Sequence, residues 1–128
     1  MIPAIGLGTF RFEDAEAAEA VRSALEMGYR HIDTAEMYGN ERGVGEGIRA
    51  AGVPRRDLFV TTKVWHSHLR PDDTLAAIRA SLERLGLDYV DLALIHWPSP
   101  GGEVPVGETL GALAEARELG LITDFGVS

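Results

Sequence analysis

Asp33, Tyr38, Lys63 and His96 carry complementary chemistry, and each falls at or just beyond the end of an apolar run. Asp33 and Tyr38 stand in HIDTAEMYGNE (31–41), Lys63 in TTKVW (61–65) and His96 in LIHWP (94–98). A lysine ammonium beside a phenol stabilises the phenolate that proton transfer leaves behind. A carboxylate next to the lysine keeps the ammonium charged and held in place. The tyrosine then becomes a usable general acid toward a carbonyl oxygen, and a neutral histidine nearby can hydrogen-bond that oxygen and orient the substrate. No metal is needed. What such a set lacks is a reductant, which a bound cofactor would supply. Taken singly, the four have plainer readings as a turn cap, a sheet-edge cover, a solvated strand end and a satisfied core histidine.

Whether the four meet depends on the elements that carry them. Strand-like and helix-like segments alternate along the whole chain. PAIGLGTF (3–10) reads as a first strand, and DAEAAEAVRSALEMG (14–28) as a helix that Asp14 can cap and Gly28 can end. YRHIDTA (29–35) is strand-like, and Asn40 to Ala51 is helix-like until Gly52 and Pro54. DLFVTTKVW (57–65) is the third strand. Pro71 opens a helix in which Leu75, Ile78, Leu82 and Leu85 share one face, with Gly86 just beyond. YVDLALIHW (89–97) is the fourth strand, Glu108 to Leu119 the fourth helix, and LITDFGVS (121–128) the fifth strand. The near-continuously apolar strands suit a parallel sheet covered by helices. The long connection PSPGGEVPVG (98–107) is a candidate functional loop.

Two parallel architectures use this alternation, the doubly wound sheet and the (β/α)₈ barrel. A dinucleotide fingerprint starts at Gly6-Leu7-Gly8, but Arg11 stands where the third glycine belongs. The barrel fits better, here as an α/β, parallel TIM-barrel type with the first four βα units plus strand 5. On that layout Asp33, Lys63 and His96 end successive strands at one rim, and the loop bearing Tyr38 leaves the same rim.

The bulk numbers narrow the classes. The 128 residues suffice for one domain with a real core, and no linker or second domain is expected. A formal net charge of −8 argues against nucleic acid and anionic membrane surfaces as partners. No apolar run approaches the ~20 residues of a membrane helix, no signal peptide is expected, and a cytoplasmic protein is the plain reading. Zero cysteines exclude disulfides and thiolate chemistry. His66 and His68 form H-x-H without a third ligand, so a solvated loop is expected there rather than a metal site. GVGEG (43–47) reads as a flexible start to the second helix, and His31 as structural. In RASLERL the charged positions read as a solvated face on which Arg79 and Glu83 can pair.

The segments GLGTF (6–10), GYRHIDTAEMYGNE (28–41), TTKVW (61–65), LGLDYVDLALIHWP (85–98) and FGVS (125–128) together resemble the aldo-keto reductases. The resemblance spans the chain and implies a (β/α)₈ barrel and NADPH-dependent reduction of small aldehydes, α-dicarbonyls or keto-sugars such as 2,5-diketo-D-gluconate. It implies Tyr38 as proton donor assisted by Lys63 and Asp33, with His96 positioning the carbonyl. Phe10, Trp65 and Trp97 would line the substrate pocket, while Thr9, Asp33 and Ser128 would approach the nicotinamide end of the cofactor. The chain would correspond to the N-terminal half of such a barrel, lacking the basic segment that holds the adenosine 2′-phosphate. Inactivity of these 128 residues alone is therefore expected. The competing expectation is a non-catalytic half-barrel that self-associates through two exposed edges and an apolar interior.

Overall fold

The computed structural model describes all 128 residues, as five parallel strands joined by four helices. The strands are β1 (Leu7–Gly8), β2 (His31–Asp33), β3 (Phe59–Val64), β4 (Val90–Ile95) and β5 (Ile122–Val127). The helices are α1 (Asp14–Glu26), α2 (Glu41–Ala51), α3 (Pro71–Leu85) and α4 (Val106–Glu118). Sheet order follows chain order, β1-β2-β3-β4-β5, with no reversal of the kind a doubly wound sheet has. All neighbours pair in parallel, with Asp33 opposite Thr61 and Thr61 opposite Leu92.

The core lies between sheet and helices. Ile32, Val60, Val64, Val90 and Ile95 from the strands pack with Val21, Leu25, Val44, Ile78, Leu82, Leu85 and Leu113 from the helices. Successive strand residues point to opposite faces, so His31, Asp33, Thr61 and Lys63 point away from the helices. That open face is more polar than the apolar interior expected from the strands' composition. Leu92 and Leu94 are half-buried on it, and Asp124 opposite Leu92 is exposed.

Helix punctuation follows the glycine pattern. Gly28, Gly52, Gly86 and Gly120, each just beyond a helix, have φ of +105°, +68°, +68° and +77°, a region that side chains with a Cβ avoid. The starts depart from expectation. Glu13, not Asp14, occupies the N-cap of α1, and its N–H donates to Glu16 at 3.3 Å. The Asp14 carboxylate instead accepts the Gly43 N–H at 3.0 Å and so satisfies a first-turn donor of α2. Helix α4 begins at Val106, ahead of Glu108, because Pro105 already has φ −58° and its carbonyl accepts the Glu108 N–H. Strand β1 is far shorter than residues 3–10. Gly6 lies against the His31 ring, where an added Cβ would come within 2.8 Å of Nδ1, and the chain turns at Phe10 and Arg11.

GVGEG is not a flexible start. Gly43, Gly45 and Gly47 are buried inside α2. A methyl group at Gly43 would fall on the Asp14 carbonyl, one at Gly45 on the Leu85 carbonyl, and one at Gly47 2.6 Å from the Ala18 carbonyl. These glycines let α2 press its backbone against α1 and α3. The charge pairing on α3 also differs from expectation, because Arg84 rather than Arg79 finds a carboxylate. Its Nε and Nη2 reach Glu41 Oε1 at 2.9 and 2.7 Å, and Glu41 also accepts Thr62 Oγ1 at 2.7 Å and Ser81 Oγ at 3.2 Å. Glu41 is 1 % exposed, so this network is what makes its burial tolerable.

The glycine packing gives a test with opposite signs at two sites. In an exposed helix interior, Gly→Ala gains roughly 1 kcal/mol from propensity, and Gly111 in α4 has open space around it. Gly111→Ala should therefore raise the urea midpoint, whereas Gly43→Ala should lower stability by about 1–3 kcal/mol through overpacking. Equal shifts for the two variants would contradict close α1–α2 packing.

Candidate active site

Strand β3 turns Lys63 onto the open face, and the segment after β2 supplies what the ammonium needs. Lys63 Nζ lies 2.6 Å from Asp33 Oδ1, 2.9 Å from the Thr34 carbonyl and 3.4 Å from the Tyr38 hydroxyl. Its side chain is 8 % exposed while that of Asp33 is 39 % exposed, so the cation is buried behind a carboxylate that solvent still reaches. Tyr38 ends a 3₁₀ turn, Glu36–Tyr38, closed by Gly39 at φ +69°.

His96 follows directly on β4, and its N–H bonds the Val64 carbonyl at 3.0 Å. Its ring stands edge-on to Tyr38 with centroids 5.8 Å apart, and 5.2 Å from the Trp65 ring. Burial, and then the positive charge of Lys63, hold its pKa below the ordinary imidazole value, against a smaller upward pull from Asp33 and Glu36. The ring is therefore neutral at neutral pH. Its Nδ1 is buried without a partner in the chain.

Aromatic side chains wall this corner. Phe10 lies 5.0 Å from Tyr38, Trp65 lies 4.8 Å from Trp97, and His66 stacks on Trp97 at 6.0 Å. Phe10 and Trp97 remain about half exposed. Asp33, Tyr38, Lys63, His96, Phe10, Trp65 and Trp97 thus gather in one place. Thr9 is buried beside them, its hydroxyl donating to the Asp33 carbonyl at 3.3 Å. Ser128 is exposed just past β5, with its N–H on the Ile95 carbonyl at 2.9 Å, and no hydrogen bond ties it to the four. His66 and His68 gather no third ligand, and no cluster of three metal-binding side chains occurs. His31 donates or accepts at Thr61 Oγ1, 2.9 Å away, as a structural residue would.

Residues 4–128 match the model of the Aldo/keto reductase family. The chain belongs to the aldo-keto reductase family. It is 50 % identical over 127 residues to the methylglyoxal reductase DkgB of Salmonella typhi, covering 99 % of this chain and 48 % of that protein. It is 53 % identical to the 9,11-endoperoxide prostaglandin H2 reductase of Trypanosoma cruzi, covering 99 % of this chain and 44 % of that one. A crystal structure solved as a candidate 2,5-diketo-D-gluconic acid reductase B superposes with a TM-score of 0.93 at 48 % identity, over 98 % of this chain and 44 % of that chain. An aldo-keto reductase from Bombyx mori in complex with NADP gives 0.91 at 43 % identity, over 98 % and 46 %. The sheet is thus the barrel type of these aldo-keto reductases, and the chain spans about half the length of the curated relatives it matches.

Three contacts here were invisible in the pattern of residue types. The Thr34 carbonyl on Lys63 is a backbone group. The Asn40 amide, buried, donates to the Thr9 and Phe12 carbonyls at 2.7 and 3.0 Å and so fixes the turn that presents Phe10. Glu36 accepts the Trp65 N–H at 2.7 Å. The only signal for the last two was the polar density of TAEMYGNE itself.

Burial also lowers the pKa of His31. Both imidazoles thus protonate less readily in the folded chain than in the unfolded one, where the value is about 6.5. The stability this contributes is complete above that pH and is lost as the pH falls through the lower folded values. The urea midpoint should accordingly drop between about pH 7 and pH 5, and replacing both histidines by glutamine should flatten the drop. An unchanged slope in the double variant would assign the pH dependence to other groups.

Proposed function

We propose that this chain carries the proton-donating centre of an NADPH-dependent carbonyl reductase of small aldehydes, α-dicarbonyls such as methylglyoxal, or keto-sugars such as 2,5-diketo-D-gluconate. The observation that carries the reading is the buried Lys63 ammonium, shared between Asp33 Oδ1 at 2.6 Å and Tyr38 OH at 3.4 Å. The DkgB relatives and the NADP-bound neighbour support the substrate class and the cofactor.

In this reading Tyr38 gives its hydroxyl proton to the carbonyl oxygen while the carbonyl carbon is reduced to an alcohol carbon. Lys63 stabilises the phenolate that remains, and Asp33 keeps Lys63 charged and aimed. His96, neutral, offers an N–H to the same oxygen and aligns it. Phe10, Trp65 and Trp97 exclude water and fix the rest of the substrate. Bound NADPH would supply the hydride. The residues here suit its nicotinamide end: Asp33 is open to solvent beside Lys63, with Thr9 and Ser128 as the further candidates. No metal takes part, and nucleic acid and membrane surfaces are not partners. No helix is long and apolar enough to cross a membrane, and a cytoplasmic setting completes the proposal.

A second reading rests on the two unpaired sheet edges, β1 and β5. It takes the 128 residues as a non-catalytic half-barrel that self-associates. The polar open face and a charge of −8 weaken that drive.

With the segment set in a chain of its relatives' full length, Tyr38→Phe should reduce turnover by about a hundredfold or more with NADPH affinity retained, because the ring stays and only the proton is lost. Turnover near the parent level would remove Tyr38 from the role. Lys63→Met should cost a comparable factor, and turnover near the parent level would relieve Lys63 of stabilising the phenolate. For the 128 residues alone we expect no turnover on methylglyoxal and weak NADPH binding, since reduction requires hydride and proton donors held to about 3–3.5 Å of the carbonyl. Micromolar NADPH binding with turnover by a sedimenting monomer would show the opposite.

A further inference from the structure

Glu36 takes no part in the proton path, yet its side chain is 8 % exposed and tied at one oxygen to two partners. Oε1 accepts the Trp65 backbone N–H and His68 Nδ1, each at 2.7 Å. Nδ1 carries the proton in that arrangement, because a carboxylate only accepts. Strand β3 ends at Val64 and the 3₁₀ turn His66–His68 follows, closed by the His68 N–H on the Trp65 carbonyl at 2.9 Å. The Trp65 N–H thus falls between strand and turn with no backbone partner, and Glu36 fills the place a capping side chain would take.

The carboxylate that does this is the first residue of the turn that ends in Tyr38. Both side chains therefore ride on the same short turn. On the other side of Trp65, its indole packs 5.2 Å from the His96 ring and 4.8 Å from Trp97. One oxygen atom of Glu36 thus ties the backbone of the pocket wall to the turn that carries the proposed proton donor.

We propose that Glu36 is a positioning residue that registers the Trp65 wall against the Tyr38 turn and thereby sets which carbonyl compounds fit. The proposal deepens the reductase reading and rests on it for its functional consequence. A substrate with bulk beyond the carbonyl, such as a keto-sugar, needs the wall. A small aldehyde needs only Tyr38 and His96. Releasing the clamp therefore discriminates by size, which loss of fold stability does not.

Trp65 and Trp97 are the only two tryptophans, so Trp97→Phe leaves Trp65 as a lone reporter in the 128-residue chain. In that background, Glu36→Ala should raise acrylamide quenching of Trp65 about twofold, while Glu36→Gln should restore it, since the amide oxygen still accepts the Trp65 N–H. The exposed His68, replaced by alanine, should give an intermediate rise and serves as the test should Glu36→Ala not fold. Quenching unchanged in Glu36→Ala, or in His68→Ala where that variant stands in, overturns the clamp. In a chain of the relatives' length, Glu36→Ala should raise KM for a diketogluconate about fivefold with kcat kept and methylglyoxal kinetics unmoved. Equal losses on both substrates overturn the size-selective role. A parent without any turnover would refute the reductase reading instead, and the quenching result would then decide the clamp by itself.

Discussion

A buried ammonium governs this structure. Removing Lys63 from water carries a cost of several kcal/mol unless its charge and its N–H donors are met. They are met by three oxygens, all drawn from the segment that follows His31: Asp33 Oδ1, the Thr34 carbonyl and the Tyr38 hydroxyl. That arrangement requires Asp33 opposite Thr61 in the β2–β3 register. A slip of one residue would turn Lys63 toward the helices, where Val60 and Val64 are packed, and would leave the charge without a partner. The interaction on which the proposed chemistry rests is thus also one that fixes how two central strands pair.

The same segment grips β3 along its whole length. His31 bonds the Thr61 hydroxyl, the Thr34 N–H bonds the Thr61 carbonyl, and Glu41 takes the Thr62 hydroxyl. Asp33 and Tyr38 take Lys63, and Glu36 takes the Trp65 N–H. Because β3 side chains alternate, Thr62 meets its carboxylate on the helix side and Lys63 meets its own on the open side. The loop between β2 and α2 must therefore wrap around the end of β3, while the bare backbone of α2 at Gly43, Gly45 and Gly47 packs against α1 and α3.

What the sequence made legible follows from these distances. Helix ends were readable because a glycine at positive φ is a local requirement, and Asp33, Lys63 and His96 were readable because parallel strands end at one rim. Strand β1 was overread, since an apolar composition does not say whether a neighbour's backbone is there to pair. The role of Asp14 was misassigned because its partner, Gly43, comes from another helix. GVGEG was mistaken for looseness for the same reason: a glycine chosen for close approach and one chosen for flexibility look identical until the facing backbone is known. Glu36 escaped notice because its main partner is a backbone N–H, which every residue except proline has.

The electrostatics of the corner also divide labour between its two basic groups. Lys63 has three oxygens around it, whereas His96 has a half-buried ring, an unpartnered Nδ1 and the Lys63 charge nearby. Two cations in so small a space would repel, and the histidine, with the weaker hold on its proton, is the one that gives it up. In the reductase reading proposed above, the site would present a substrate oxygen with two uncharged donors, a phenol and an imidazole N–H, and would keep the Lys63 charge one step behind them. A charge placed in front would bind the ground-state carbonyl and any passing anion alike. Placed behind the phenol, as that reading has it, the charge would act most strongly as the hydroxyl begins to lose its proton, so the stabilisation would grow along the reaction instead of being spent at binding.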